Sequence, residues 1–196
     1  MSVITGNIVF LGLAAAGAKG FSGINSALAI GGFLVGVFVG DRACRAARAH
    51  RGLALRNVLG TKVVLAAAVT LTVLLGGEPF SGGVLYAVIV LLAMSMGAQL
   101  AAIRYLKVPD LLTVVLTLTI TGALTEHGKG WNDPAMLRRG LAVVAFAVGV
   151  LSGALLVLYV SVGAALSLGL GLIIVVATAA HLVSRREASW SAPHPA

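Results

Sequence analysis

Residues 82–103 read Gly-Gly-Val-Leu-Tyr-Ala-Val-Ile-Val-Leu-Leu-Ala-Met-Ser-Met-Gly-Ala-Gln-Leu-Ala-Ala-Ile, a run without one charged side chain. A helix needs about 20 apolar residues to cross the hydrocarbon core of a bilayer. The apolarity is continuous rather than alternating, which excludes a strand of a membrane barrel. Six comparable runs flank this one (segment d): a at about 3–18, b at 22–40, c at 57–76, e at 110–126, f at 139–160 and g at 163–184. Breakers separate them: Gly20 and Gly23, Gly76-Gly77-Glu78-Pro79, Val108-Pro109 and Asp133-Pro134. The expected fold class is all-α, a polytopic membrane helix bundle of six to seven hydrophobic segments. It forms one transmembrane domain over 1–186, followed by a polar, proline-bearing tail at 187–196 that reads as disordered.

Composition agrees. Of 196 residues, 59% are hydrophobic and 10% charged, with a mean hydropathy of +1.05. A soluble domain carries about 25% charged residues, so a soluble globular enzyme is excluded. The net charge of +8 is concentrated: Arg42, Arg45, Arg48, Arg51 and Arg56 crowd one stretch between segments b and c. That is the bias of a cytoplasmic loop, which retains Lys and Arg. No aromatic residues interleave with these arginines as a single-strand binder requires, so no nucleic acid is expected. The lone Cys44 supports neither a disulfide framework nor a metal site. Ala16-Gly17-Ala18 imitates a signal-peptide cleavage site, yet no Lys or Arg precedes the apolar run.

The chain also matches itself. Thr5-Gly6-Asn7 corresponds to Thr117-Leu118-Thr119 at an offset of 112, and Gly36-Val37-Phe38-Val39-Gly40 to Gly149-Val150-Leu151-Ser152-Gly153 at 113. Residues 1–76 and 110–186 are therefore candidate halves of an internal duplication, as in many transporter folds. Segment d has no counterpart, because its equivalent would precede Met1.

Several of these stretches form a recognisable signature. Met1-Ser2-Val3-Ile4-Thr5-Gly6-Asn7 with Leu11-Gly12-Leu13-Ala14, Met96-Gly97-Ala98-Gln99 with Arg104, and Val108-Pro109-Asp110-Leu111 leading to Thr113 and Leu116-Thr117 resemble the YoaK family. The resemblance runs from residue 1 to about 186. It implies a bacterial multi-pass inner-membrane protein, usually of six helices, with no established activity and grouped as a domain of unknown function. Ile4 stands where the motif has methionine, Ala98-Gln99-Leu100 replaces a G-x-Q-N stretch, and Leu118 replaces a glycine of L-T-G-T. The family's first helix, with its acidic D-A-x-S-F motif, is missing, so Met1 reads as an internal methionine.

Segment e carries Thr113, Thr117, Thr121 and Thr125 every four residues, plus Thr119. That spacing makes one helical stripe. It serves either back-bonding to helix carbonyls and packing or a polar wall for a solute. Gly32, Gly36, Gly40, Gly149 and Gly153 are spaced for close helix packing. Gln99, an amide deep in segment d, needs a partner. Most ionisable residues fall at segment ends, and Lys62 reads as snorkelling to the interface from the second turn of c. No carboxylate pair, His cluster, HExxH, GxSxG or phosphate loop is present, so neither an enzyme nor a metal or cofactor site is expected.

Charge placement bears on topology. If every segment spans, Lys129, Arg138, Arg139 and Arg185-Arg186 fall outside, against the usual bias. If e, only 17 residues long, dips in and returns, they all become cytoplasmic. By the repeat, segment a then dips from the opposite face, and with the missing helix restored the halves are inverted, framing a midplane site. The sequence thus points to a small-solute or ion transporter in the bacterial inner membrane. Its path is lined by Thr5, Asn7, Gln99, Thr113, Thr117, Thr119 and Thr121, with the loop 42–56 in the cytoplasm. The expected partners are the lipid bilayer, a small solute or ion and a second copy of the chain. The alternative is a non-transporting assembly or partner-binding subunit whose glycines only mediate packing.

Overall fold

The computed structural model describes residues 3–47, 51–77, 80, 82–106 and 134–184. Among them are six helices and no strand: α1 Val3–Ala15, α2 Gly23–Arg45, α3 Arg51–Gly76, α4 Gly82–Leu106, α5 Pro134–Tyr159 and α6 Val162–Ser184. Five of these, α2 to α6, are long and apolar enough to cross a membrane. The 13 residues of α1 reach only ~20 Å at 1.5 Å per residue, against a core of ~30 Å. Segment e, with Thr113, Thr117, Thr119, Thr121 and Thr125, lies outside the described residues, as does the tail at 187–196.

The bundle is sorted by size in the sense opposite to a soluble core. Ala47, Ala54, Ala98, Ala102 and Cys44 are buried, as are Gly32, Gly36, Gly40 and Gly97. Leu75, Leu74, Val64, Leu34 and Phe38 are exposed. In α5 no residue between Gly140 and Tyr159 is buried, although that stretch is almost wholly aliphatic. A helix apolar all round belongs in a non-aqueous surround. In lipid, exposing a leucine costs nothing, so small residues go inside where they let backbones approach.

The closest approach joins α2 to α4. A Cβ on Gly32 would meet the Val90 carbonyl oxygen at 2.9 Å, and one on Gly40 would stand 2.7 Å from Ala98 Cα. Between them, Gly36 lies against the Met94 backbone. The paired residues rise together along both helices, so α2 and α4 run parallel. From the α4 side, Gly97 fills the same contact against Phe33, Gly36 and Val37. α3 runs antiparallel to both. Gly76 touches Val84 where α3 ends and α4 begins, while Cys44, Ala47, Ala54, Val58 and Ala102 cluster at the other end. α6 lies antiparallel along α3, with Val162 and Leu166 packed on the cluster of Val69, Val73 and Val88. α5 packs on α6 through the short Val160-Ser161 link.

Local chemistry sets the ends. Gly17 and Gly20, at φ +81° and +89°, turn the chain between α1 and α2. Ser22 caps α2 by accepting from Asn25 N at 3.3 Å, and Ser161 caps α6 by accepting from Ala164 N at 3.0 Å. Asn57 Nδ2 donates to the Ala43 carbonyl at 3.1 Å, supplying a donor to a carbonyl in the last turn of α2.

The helices exceed the hydropathy segments at the basic end. α2 continues through Arg45 and α3 starts at Arg51, so much of the expected 42–56 loop is helix. Hydropathy marks where lipid must be met, whereas helical hydrogen bonding continues into the interface. Asp41 accepts from Arg45 one turn on at 2.6 Å, and Arg42 lies 5.2 Å from the centroid of the Phe38 ring. Cys44, expected in that loop, is a fully buried helical residue.

The glycines of segments b and f differ in place. Gly149 and Gly153 meet nothing within 4 Å among the described residues, whereas Gly36 is tightly enclosed. Gly36→Ala should therefore lower the unfolding midpoint of the detergent-solubilised protein, at a cost of about 1–3 kcal/mol from overpacking. Gly149→Ala should leave it unchanged or raise it slightly, since alanine favours a helix over glycine by up to ~1 kcal/mol. Equal effects at the two positions would contradict the buried α2–α4 contact.

Candidate functional site

Among the described residues one cation sits away from the helix ends. Lys62 lies about three turns beyond Arg51, ~16 Å along the axis of α3. Its Nζ donates to Gln99 Oε1 on α4 at 2.6 Å, and the pair is partly buried. The second-turn position expected from segment c is therefore corrected: the six residues by which α3 starts earlier carry Lys62 deeper. An ammonium at membrane depth is costly, about 2.5–3.5 kcal/mol on insertion scales at a helix centre, and such groups face protein or a watery cavity.

The register of the antiparallel α3–α4 pair creates the meeting. Val84 against Gly76 at one end and Ala102 beside Ala54 and Val58 at the other leave Gln99 level with Lys62. The polar atoms are unevenly used. An ammonium only donates, so it faces the oxygen of the Gln99 amide, which directs the amide NH2 elsewhere. Nε2 of Gln99 has no acceptor among the described residues, and Lys62 has no carboxylate beside it. The site is therefore rich in donors and carries one positive charge.

A cavity of about 260 Å³ lies between α1, α2 and α4. Its wall is apolar, with Ile4, Phe33, Leu92 and Met96, and Asn7 of α1 is its single amide. Met96 is three residues before Gln99 and hence its neighbour on the helix surface. Asn7 thus lines a cavity beside the stretch of α4 that carries Gln99, and Gln99 itself is not in its wall, while Thr5 is exposed on α1. Thr113, Thr117, Thr119 and Thr121 lie outside the described residues. Threonines elsewhere bond back to their own helix: Thr70 to Ala66 O at 2.8 Å, Thr72 to Ala68 O at 2.7 Å and Thr178 to Ile174 O at 2.8 Å. No group of three His, Cys, Asp or Glu that could hold a metal occurs among the described residues.

With this geometry in place, comparison with known proteins gives one result. Residues 1–179 match the family model described as a protein of unknown function, DUF1275. The chain belongs to the DUF1275 family. No curated protein and no solved structure matches it. Membership of the DUF1275 family assigns no chemistry to Lys62 or Gln99.

Sequence reading singled out Gln99 but placed its partner at the interface. A cue lay in Arg51 and Gly52: apolar and helix-forming residues continue upstream of segment c. Gly97 was also missed as a packing residue, although Ala93, Gly97 and Ala101 repeat small side chains every four positions. Removing the amide acceptor by Gln99→Leu should cost about 1–3 kcal/mol by leaving a charged donor unsatisfied. Lys62→Met together with Gln99→Leu should recover most of that loss. A double-mutant cycle on thermal midpoints checks this, and additive losses would show that the two side chains are uncoupled.

Proposed function

We propose that this protein is a small-solute or ion transporter of the bacterial cytoplasmic membrane, with Lys62 and Gln99 forming its solute-contacting centre. The observation that carries this reading is the Lys62–Gln99 bond, which sets a cation and an amide between helices whose buried residues are mostly glycine, alanine and valine. Stability alone does not call for a cation at that depth, because an apolar residue of similar volume would remove its desolvation cost. Asn7, which lines a cavity with Met96 of α4, extends the path on this reading. The signature shared with the YoaK family supports the same inner-membrane assignment, without naming a substrate.

Orientation follows from charge. Arg42, Arg45, Arg56 and Arg104 lie at the end where α2 and α4 finish, against Lys19 at the other among the described residues. Under the retention of basic residues in the cytoplasm, that end faces inward. In a Cys44→Ala background, a cysteine at Arg56 should react with an impermeant maleimide only in inside-out vesicles, and one at Gly77 only in right-side-out vesicles. The reverse pattern would invert the topology.

A second reading is a non-transporting assembly subunit, favoured by α5, in which no residue between Gly140 and Tyr159 is buried among the described residues; that face suits a second copy of the chain as well as lipid. Flux separates the two. Full-length protein in proteoliposomes should move at least one of a panel of inorganic ions, organic acids and neutral solutes, and Lys62→Met should slow that flux at least tenfold. Inserted, folded protein that moves none of them supports the assembly subunit.

A further inference from the structure

The donors around Lys62 specify a ligand charge. We propose that Lys62 and Gln99 bind a small free anion within the membrane, so that the transported solute is anionic. This rests on the reading of the pair as a solute site and names its substrate class.

First, the partner of the ammonium is neutral. Gln99 Oε1 accepts one of the three Lys62 N–H donors, and no carboxylate stands beside Lys62 among the described residues. A half-buried ammonium beside a neutral amide has no opposite charge next to it among the described residues, and charge interactions are strengthened where water is partly excluded.

Second, the remaining polar groups all have the same sense. Among the described residues two ammonium donors and the Gln99 NH2 have no acceptor, while the amide oxygen that a cation or a hydroxyl donor would need is already taken by Lys62. A metal ion or an organic cation would meet a like charge and no free acceptor. A chloride, a nitrate, a carboxylate or a phosphate would meet a charge and converging donors, the arrangement that gives charge-assisted hydrogen bonds their strength.

Third, depth selects the source of the anion. Lipid phosphates stay at the interface, outside the hydrocarbon core. The exposed arginines Arg56 and Arg104 are at that level, one near the start of α3 and one near the end of α4. Lys62 lies beyond them, so a headgroup would be captured by the arginines first, and the anion at Lys62 is a free one.

The test is thermal unfolding of the full-length protein in a zwitterionic detergent, with chloride, nitrate, formate, acetate, sulfate or phosphate exchanged at constant sodium and ionic strength. A ligand that binds the native state raises its apparent stability by mass action. At least one of these anions should raise the midpoint saturably, by roughly 5 °C near saturation. Lys62→Arg and Arg104→Gln should keep the response, the former with a changed order of anions, and Lys62→Met should abolish it. If Lys62→Met does not fold, Gln99→Leu serves: it should weaken the apparent affinity at least threefold.

The proposal is overturned if no anion in the series acts, or if Lys62→Met responds as the parent does. It is equally overturned if only phosphatidylglycerol, compared with phosphatidylcholine, produces the stabilisation, since that would make the ligand a headgroup. Its failure is distinguishable from that of the transporter reading. Saturable anion binding that depends on Lys62, without flux, keeps the site and rejects transport. Flux of a cation or a neutral solute that ignores both added anion and Lys62→Met keeps transport and rejects the anion site.

Discussion

The contact between α2 and α4, in which Gly36 and Gly97 bring main chain against main chain, is the constraint on which the rest of the bundle depends. Within a membrane there is no hydrophobic gain from hiding a leucine from water, so helices associate through close van der Waals packing. A groove of glycines on one helix and a complementary run of Val90, Met94 and Ala98 on the other provides that packing over two full turns. Because the two helices are parallel, the chain must travel back between them, and α3 is the return. Its antiparallel course against α4 follows from this connection.

Lys62 and Gln99 meet as a consequence. The short connection that brings Gly76 to Val84 sets the register at one end, and the packing of Cys44, Ala47, Ala54, Val58 and Ala102 holds it at the other. A shift of α3 by a single residue would swing Lys62 by about 100° around its axis, away from the amide. The polar pair is thus supported by apolar contacts at both ends of the same helix hairpin. The charge it carries is tolerated at a cost that the bundle would avoid with a methionine, and this makes the pair stand out chemically from the threonines, which satisfy themselves on their own backbone.

Much of the architecture was readable along the chain. The continuous apolar run at 82–103 is α4 extended by one turn, segment g appears as α6 with nearly its expected limits, and segment f as α5, which starts five residues earlier than expected. The boundaries that failed were those in the basic stretch. Arg42, Arg45, Arg51 and Arg56 are good helix formers that end a hydropathy window without ending a helix, and this error moved Lys62 to the wrong depth. Glycine spacing likewise marked both Gly36 and Gly149, yet only the first is enclosed among the described residues. A four-residue repeat states that a helix can be approached closely, not which neighbour does so.

Composition alone determined that this chain is a helical membrane protein: with 10% charged residues and long uncharged runs, no other arrangement satisfies both its backbone hydrogen bonds and its apolar side chains. The order of the residues gave the match to the DUF1275 family and the crowding of arginines between 42 and 56. Only the tertiary structure decided that α2 and α4 run parallel in backbone contact, that Cys44 is buried rather than in a loop, and that Lys62 faces Gln99. The reason is physical. Solvent preference and helix propensity are properties of single segments and can be summed along a sequence, whereas register and pairing depend on which surfaces fit each other at a distance of 37 residues.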